Sequence, residues 1–413
     1  MPPSAPPRDA RRARLAVSLI FFLNGASFCA ILPRYPEMVH SIGLSKTAFG
    51  LAVGLGPIGG LLAGLAAAPL MRKFGSASVS VLAQVLASTV HLLIYLSNSW
   101  LWLAGSLMFA SAADAITDIA MNAHGMRVER RYGRSIMNSY HGWWSLGAVT
   151  GGLFGAAAAQ IGLPLWAQGA LGVLIFGSAA LMGRRFMLPC HDSTERTEVA
   201  GATPGSAGDI PVDTRFTGRR VAGMSIRALF LVLALGMVLV FAGSTEDAGN
   251  TWGALYMTTA FGAAPFVAGL AFVALQGAQT IGRFTGDAVV NRLGDRLTAR
   301  LGALISGVGM SFALLFPSSV TTMIGFAMAG WGVATLFPAA FRAADDMPGL
   351  PHGVGITLVG WLARIGFFVS PPIVGALADA LTLQRALWLV PVYAVGILVF
   401  SGSLSGRGAQ TAQ

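Results

Sequence analysis

Asp114, Asp118 and Asn122 stand four residues apart in an otherwise apolar run. On an α-helix each such step turns about 400°, so the three drift only about 80° around the axis and share a face. Ionisable groups inside a hydrocarbon-length segment are costly, so this face is expected to point into a cavity or at another helix. Their chemistry is to hold a solute, relay a proton or pair with a cation; the plain alternative is inter-helix hydrogen bonding that fixes packing. A basic knot follows (Arg127, Arg130, Arg131, Arg134), and then His141 a short way into the next apolar run. An imidazole titrates near neutrality and suits proton exchange beside a carboxylate. Its alternative is a neutral ring bonded to a carbonyl or to Asn122.

A second set lies in the other half of the chain. Glu246 and Asn250 are one turn apart, with Trp252 and Tyr256 following. A membrane-embedded Glu246 can exchange a proton between two aqueous sides; otherwise it forms an ion pair with Arg34. Trp252 and Tyr256 either stack on a solute or belong to an interfacial aromatic belt. Gly243, Gly249 and Gly253 predict a helix that bends or unwinds beside them. Arg364 is the sole cation near the middle of an apolar run. It does not deprotonate, so it calls for Asp114, Asp118, Glu246 or an anionic group of a solute. Asn24, Gln276 and Gln279 are weaker candidates for lining a cavity. His91 reads as structural and His124 as interfacial, while Pro57, Pro338 and Pro371-Pro372 mark expected kinks.

The pattern excludes other chemistry. Two cysteines, Cys29 and Cys190, make neither a disulfide framework nor a Cys-rich metal site. There is no H-E-x-x-H, no Cys/His cluster and no P-loop. No metal, no cofactor and no enzymatic activity are expected.

The elements that position these residues are membrane helices. Only 11% of residues are charged and 54% are hydrophobic, against about 25% charged in soluble domains. The mean hydropathy is +0.68. A span needs about 20 apolar residues, and that ruler gives twelve: 15–33, 48–71, 77–97, 100–122, 137–159, 163–183, 228–249, 264–287, 298–317, 320–341, 353–376 and 384–403. The first is read as an uncleaved membrane helix rather than a signal peptide. Arg34, Lys46 and Arg385 fall on one set of loops and Arg283 and Arg364 within spans. The rest of the 27 Lys and Arg lie on the opposite side. Positive-inside bias therefore puts both termini in the cytoplasm. It also explains the net charge of +10 without nucleic acid. The expected organisation is a cytoplasmic N-terminus (1–14), a six-helix bundle (15–183), a flexible cytoplasmic linker (184–227), a second six-helix bundle (228–403) and a cytoplasmic tail (404–413).

The halves repeat. Ala68–Gly75 (APLMRKFG) closes the second helix of the first half as Asp287–Gly294 (DAVVNRLG) closes that of the second, and Gly142-Trp143 parallels Gly360-Trp361. With Arg34-Tyr35-Pro36, Gly43-Leu44-Ser45, Asp118-Ile-Ala-Met-Asn122, Glu129-Arg130-Arg131, Gly133-Arg134, His141, Ser145-Leu146-Gly147, Glu246, Trp252, Leu255-Tyr256 and Gly282-Arg283 with Gly286-Asp287, the chain resembles the major facilitator superfamily. More narrowly it resembles the MosC-like group, and more distantly fucose permease-type sugar/proton symporters. It departs in lacking an acid in the turn after span 2, in Thr251 where relatives tend to be acidic, and in Asp247 where glycine is usual.

The resemblance implies an all-α fold of two pseudo-symmetric six-helix bundles rocking about a midplane site. Arg283 and Asp287 would belong to a gating latch between helices. The implied function is secondary active transport of a small polar solute, proton-coupled, in a monomer surrounded by lipid. The proton would ride on Glu246, His141 or the span 4 aspartates. MosC-like kinship favours export and permease kinship uptake, with export preferred. A sensor or scaffold on the same fold is the alternative from another class.

Overall fold

The computed structural model describes residues 7–133, 136–189, 220–221, 224–345, 347 and 354–404, leaving aside the side chains of 220–227 and 287. Arg134, the rest of the linker (190–219, with Cys190) and the tail from 405 lie outside the described residues. Among the described residues twelve helical rods follow one another, with a short helix Tyr35–Ile42 between the first two. The first six are α1 Arg8–Cys29, α2 Lys46–Phe74, α3 Ser76–Tyr95, α4 Trp100–Tyr132, α5 Met137–Gln160 and α6 Leu165–Arg184. The second six are α7 Ile226–Phe261, α8 Pro265–Leu293, α9 Asp295–Leu315, α10 Ser319–Asp345, α11 Val354–Ala380 and α12 Leu383–Ser403.

Eleven of these are long and apolar enough to cross a membrane. The twelfth, α5, has 24 residues, which at about 1.5 Å each outreach a hydrocarbon core of about 30 Å. The all-α, twelve-helix architecture is therefore the one that hydropathy and charge imply. The one non-helical pairing among the described residues joins Arg220–Val221 to Met224–Ser225, immediately before α7.

The helices interrupt where their residues dictate. The run α10 breaks between Val333 and Leu336, just before Pro338, whose ring bars the regular hydrogen-bond pattern. A wide turn at Val173–Gly177 interrupts α6. The unwinding expected in α7 does not occur: all 36 residues form one helix through Gly243, Gly249 and Gly253. Gly243 and Gly249 serve close packing instead. A Cβ at Gly243 lands 3.0 Å from the Phe367 ring, and one at Gly249 overlaps Leu275.

The chain groups into two compact units, Met1–Gly205 with Ala264–Val273, and Ser206–Ala263 with Ala274–Gln413. In the first, small residues at four-residue spacing let backbones touch. Gly147, Gly151 and Gly155 of α5 sit against the carbonyls of Phe22 and Ala26 of α1 and of Ala30 at its C-terminal cap, and Gly25 of α1 against that of Trp144. In a membrane such close contact supplies the packing energy that water-driven burial supplies elsewhere. In the second unit Gly302 and Gly332 bring α9 and α10 together, and Gly366 brings α11 to the Val240 backbone of α7.

The turn between α4 and α5 accounts for part of the basic knot. Glu129 Oε2 accepts from the amides of Ile136 (2.6 Å) and Met137 (2.9 Å), neutralising the otherwise unsatisfied N-terminus of α5. Arg130 and Arg131 lie in the last turn of α4, where cations complement the helix dipole. Arg131 also pairs with Asp9 at 2.8 Å.

Candidate functional site

In the first unit the polar residues of α4 part company. Asp114 turns to α1, where the Asn24 amide donates to its Oδ1 at 2.7 Å. The Asn24 side-chain oxygen accepts from Trp144 Nε1 of α5 at 2.8 Å. One buried amide thus joins α1, α4 and α5. Further toward the basic end, Asp118 is exposed and Asn122 half-buried, and the Asn122 amide donates to Asp118 Oδ1 at 2.9 Å. That bond is the one their i, i+4 spacing allows. His141 is exposed, its ring edge-on to Phe21 with centroids 5.4 Å apart.

Two other histidines differ in their surroundings. His124 is fully buried rather than interfacial. Its Nδ1 lies 3.0 Å from Ser76 Oγ, and its Nε2 accepts from the Leu188 amide at 3.4 Å. Acceptance at Nε2 leaves the proton on Nδ1, so the ring donates to the serine. His91 is buried against Phe28, beside a small cavity lined by Ser27, Ser88, Tyr95 and Gln168.

Arg34 is buried in the first unit, bonded to Glu37 (2.6 and 2.9 Å), the Leu163 carbonyl (2.7 Å) and Gln168 Oε1. Gln168 in turn donates to the Ala30 carbonyl and to Tyr95. This knot closes the polar end of α1 onto α6.

In the second unit Glu246 Oε2 accepts from Gln279 Nε2 of α8 at 2.9 Å. One turn along α7 from Glu246 and one turn along α8 from Gln279, Asn250 Oδ1 and Gln276 Nε2 have unused bonding capacity, as does Gln279 Oε1; the Tyr256 hydroxyl does too, but about 15 Å farther along α7. Buried polar groups are normally satisfied, so such a concentration marks a place where another polar molecule can bind. Gln276 and Gln279, faint in the sequence, stand among the main groups here; their spacing of three on α8 was the available signal. Trp252 and Tyr256 are fully buried, which removes them from an interfacial belt, since α7 is packed on that face.

Adjacent to Glu246 but on another side of α7, Asp247 is buried and accepts from Thr251 Oγ1 at 2.6 Å. Arg364 of α11 is exposed, and its described hydrogen bond is a long one, 3.4 Å, to the Gly360 carbonyl of its own helix. Of the carboxylates expected to pair with it, Glu246, in the same unit, accepts from Gln279, whereas Asp114 and Asp118 belong to the other unit. Arg283 is half-buried one turn before Asp287 on α8, and the Asp287 side chain lies outside the described residues.

The Major Facilitator Superfamily profile matches residues 17–246, more than half of the chain. The chain belongs to that superfamily. It is 29% identical to an uncharacterized MFS-type transporter of Yersinia pestis, over 90% of this chain and 91% of that one. It is 27% identical to the membrane protein MosC of Rhizobium meliloti, over 94% and 89%. Solved structures agree on the fold. A variant of the nucleoside transporter NupG superposes with a TM-score of 0.72 at 12% identity, over 95% of this chain and 99% of that one. A bacterial homologue of the human lysosomal transporter Spinster gives 0.70 at 15%, over 96% and 98%. The chain is thus a multi-pass membrane transporter of the superfamily fold, with similarity to the MosC-like group, a small solute as substrate and lipid as its surroundings. Its family is one of transporters, not enzymes.

Proposed function

We propose that this transporter moves a small polar solute across the bacterial cytoplasmic membrane by alternating access, as a monomer coupled to protons, with export the favoured direction. The observation that carries the solute reading is the cluster around Glu246. It offers one carboxylate together with the amide groups of Asn250, Gln276 and Gln279, each with unused capacity. Mixed donors and acceptors beside a single acid suit a hydroxyl-rich or amine-bearing solute. An apolar substrate would leave them unsatisfied at about 1–3 kcal/mol each.

Proton coupling is supported by carboxyl groups in helices long enough to span a bilayer, Asp114 and Glu246 among them, each held by a neutral amide rather than by a cation. The charge bias of the loops supports a cytoplasmic location for both termini. The preference for export rests on the resemblance to the MosC-like group. A solute is first found by thermal-shift screening of the purified protein, since a ligand that favours the folded state raises its midpoint. In vesicles, movement of that solute should follow an imposed pH gradient. Transport indifferent to the gradient would sink proton coupling, and failure to move any bound solute would favour a sensing role.

A further inference from the structure

Two acids follow one another on α7, and successive residues point about 100° apart. Glu246 meets α8 through Gln279. Asp247 looks elsewhere, toward α11 and α12, and only 6% of it is exposed. Thr251 Oγ1, a turn along α7, donates to its Oδ1 at 2.6 Å. Ser370 of α11 faces the same carboxyl, and Tyr393 of α12 borders Asp247, Ser370 and Ser244. Ser244, Thr251 and Ser370 are themselves more than nine-tenths buried. Although they face one another, Asp247 Oδ2 and Ser370 Oγ each lack a hydrogen bond of normal geometry.

No arginine or lysine among the described residues acts on this carboxyl; its titratable neighbours are Glu246 on its own helix and Tyr393 on α12. A buried carboxylate without a cation bears a desolvation cost of several kcal/mol. One proton removes that charge. Placed on Oδ2, it also gives the carboxyl a donor for Ser370 Oγ.

We propose that Asp247, set among Thr251, Ser370 and Tyr393, is a proton-binding site separate from the Glu246–Gln279 pair, and that its proton is the one coupled to solute movement. The coupling half rests on the proton-coupled reading above; the binding half stands on the geometry alone. Glu246 then serves the solute and Asp247 the ion, side by side on one helix. Movement of α7 against α11 and α12 would expose the site to water and let the proton exchange.

Infrared difference spectroscopy on the purified protein tests the binding half without knowledge of the solute. At neutral pH the wild type should show the carbonyl band of a protonated carboxyl, shifted in D2O. Asp247→Asn should remove one carboxyl's intensity, while Glu246→Gln should retain it. Ser370→Ala, the milder variant should Asp247→Asn fail to fold, should move the band to higher frequency by loss of its hydrogen bond. A spectrum unchanged by Asp247→Asn, a band unmoved by Ser370→Ala, or a band erased on replacing choline with Na+ would each overturn the assignment. In vesicles, a wild type indifferent to the pH gradient would defeat proton coupling altogether. A gradient-driven wild type whose folded Asp247→Asn variant is still driven would instead defeat Asp247 as the carrier.

Discussion

The Asn24 amide donates to Asp114 Oδ1 at 2.7 Å while its own oxygen accepts the Trp144 indole N–H at 2.8 Å. A neutral side chain thereby satisfies an acid on one helix and a donor on another. Asn24→Leu strands both; a buried unsatisfied group costs about 1–3 kcal/mol, and the lower end is expected because Asp114 and Trp144 are half-buried. Trp144→Phe removes a donor together with its need and should cost less. Thermal unfolding in detergent, followed by tryptophan fluorescence, should rank the wild type above Trp144→Phe and that above Asn24→Leu. Equal midpoints for wild type and Asn24→Leu would remove Asn24 as the bridge.

The seam between α1 and α5 depends on glycine because backbones touch there. At Gly151 any Cβ overlaps the Ala26 carbonyl, whereas at Gly105 nothing lies within 4 Å. Gly151→Leu should force α1 and α5 apart and abolish folded protein on size-exclusion chromatography. Gly105→Ala should leave yield unchanged and add a few tenths to about 1 kcal/mol of stability, because alanine favours the helix over glycine. Normal yield from Gly151→Leu would show that the seam tolerates separation.

Much of this was legible in the sequence, for a definite reason. Twelve spans follow from hydropathy length and from the side on which arginines fall, both properties of the chain itself. The Asp118–Asn122 bond was legible because i, i+4 neighbours on a helix must meet. The Asp114–Asn24 bond was not: periodicity says which residues share a face, but not which helix that face meets. Asp247 registered only as a departure from a usual glycine, although Ser244 and Thr251 lie three before and four after it on the same side of α7. The glycines of α7 misled, since glycine permits close packing as readily as unwinding, and only the neighbours Phe367 and Leu275 decide between them. Depth along a helix located Arg364 but did not say whether its side chain is covered, and the residue is exposed.

Arg34 offers a test of the buried knot in the first unit. Its guanidinium is 1% exposed and its one acidic partner, Glu37, is 47% exposed. Glu37→Gln removes the compensating charge and leaves the buried cation with the neutral oxygens of Gln168 and Leu163. Breaking a buried pair in this way costs about 3–5 kcal/mol, with the lower end expected because Glu37 is half in solvent. Arg34→Met removes the buried charge itself and should be the milder change once Gln168 keeps its bonds to Ala30 and Tyr95. Guanidinium denaturation of the two variants in one detergent should give that order, and the reverse order would mean that the ion pair contributes little.

The Glu246–Gln279 bond makes the sharpest claim about solute binding. Gln279 both donates to Glu246 Oε2 and carries an oxygen with no partner among the described residues. Gln279→Leu therefore removes the donor that fixes the carboxylate and an acceptor available to a solute. A hydrogen bond to a charged group contributes about 1.5–3 kcal/mol, so affinity should fall roughly ten- to hundredfold. Gln279→Glu places two acids together and should weaken binding further for a neutral solute, yet less for an amine-bearing one, which gains an attractive charge. Isothermal titration with the first solute identified by thermal shift reads both variants. Unchanged affinity in Gln279→Leu, with a normal thermal midpoint, would move the solute away from this face of α7 and α8.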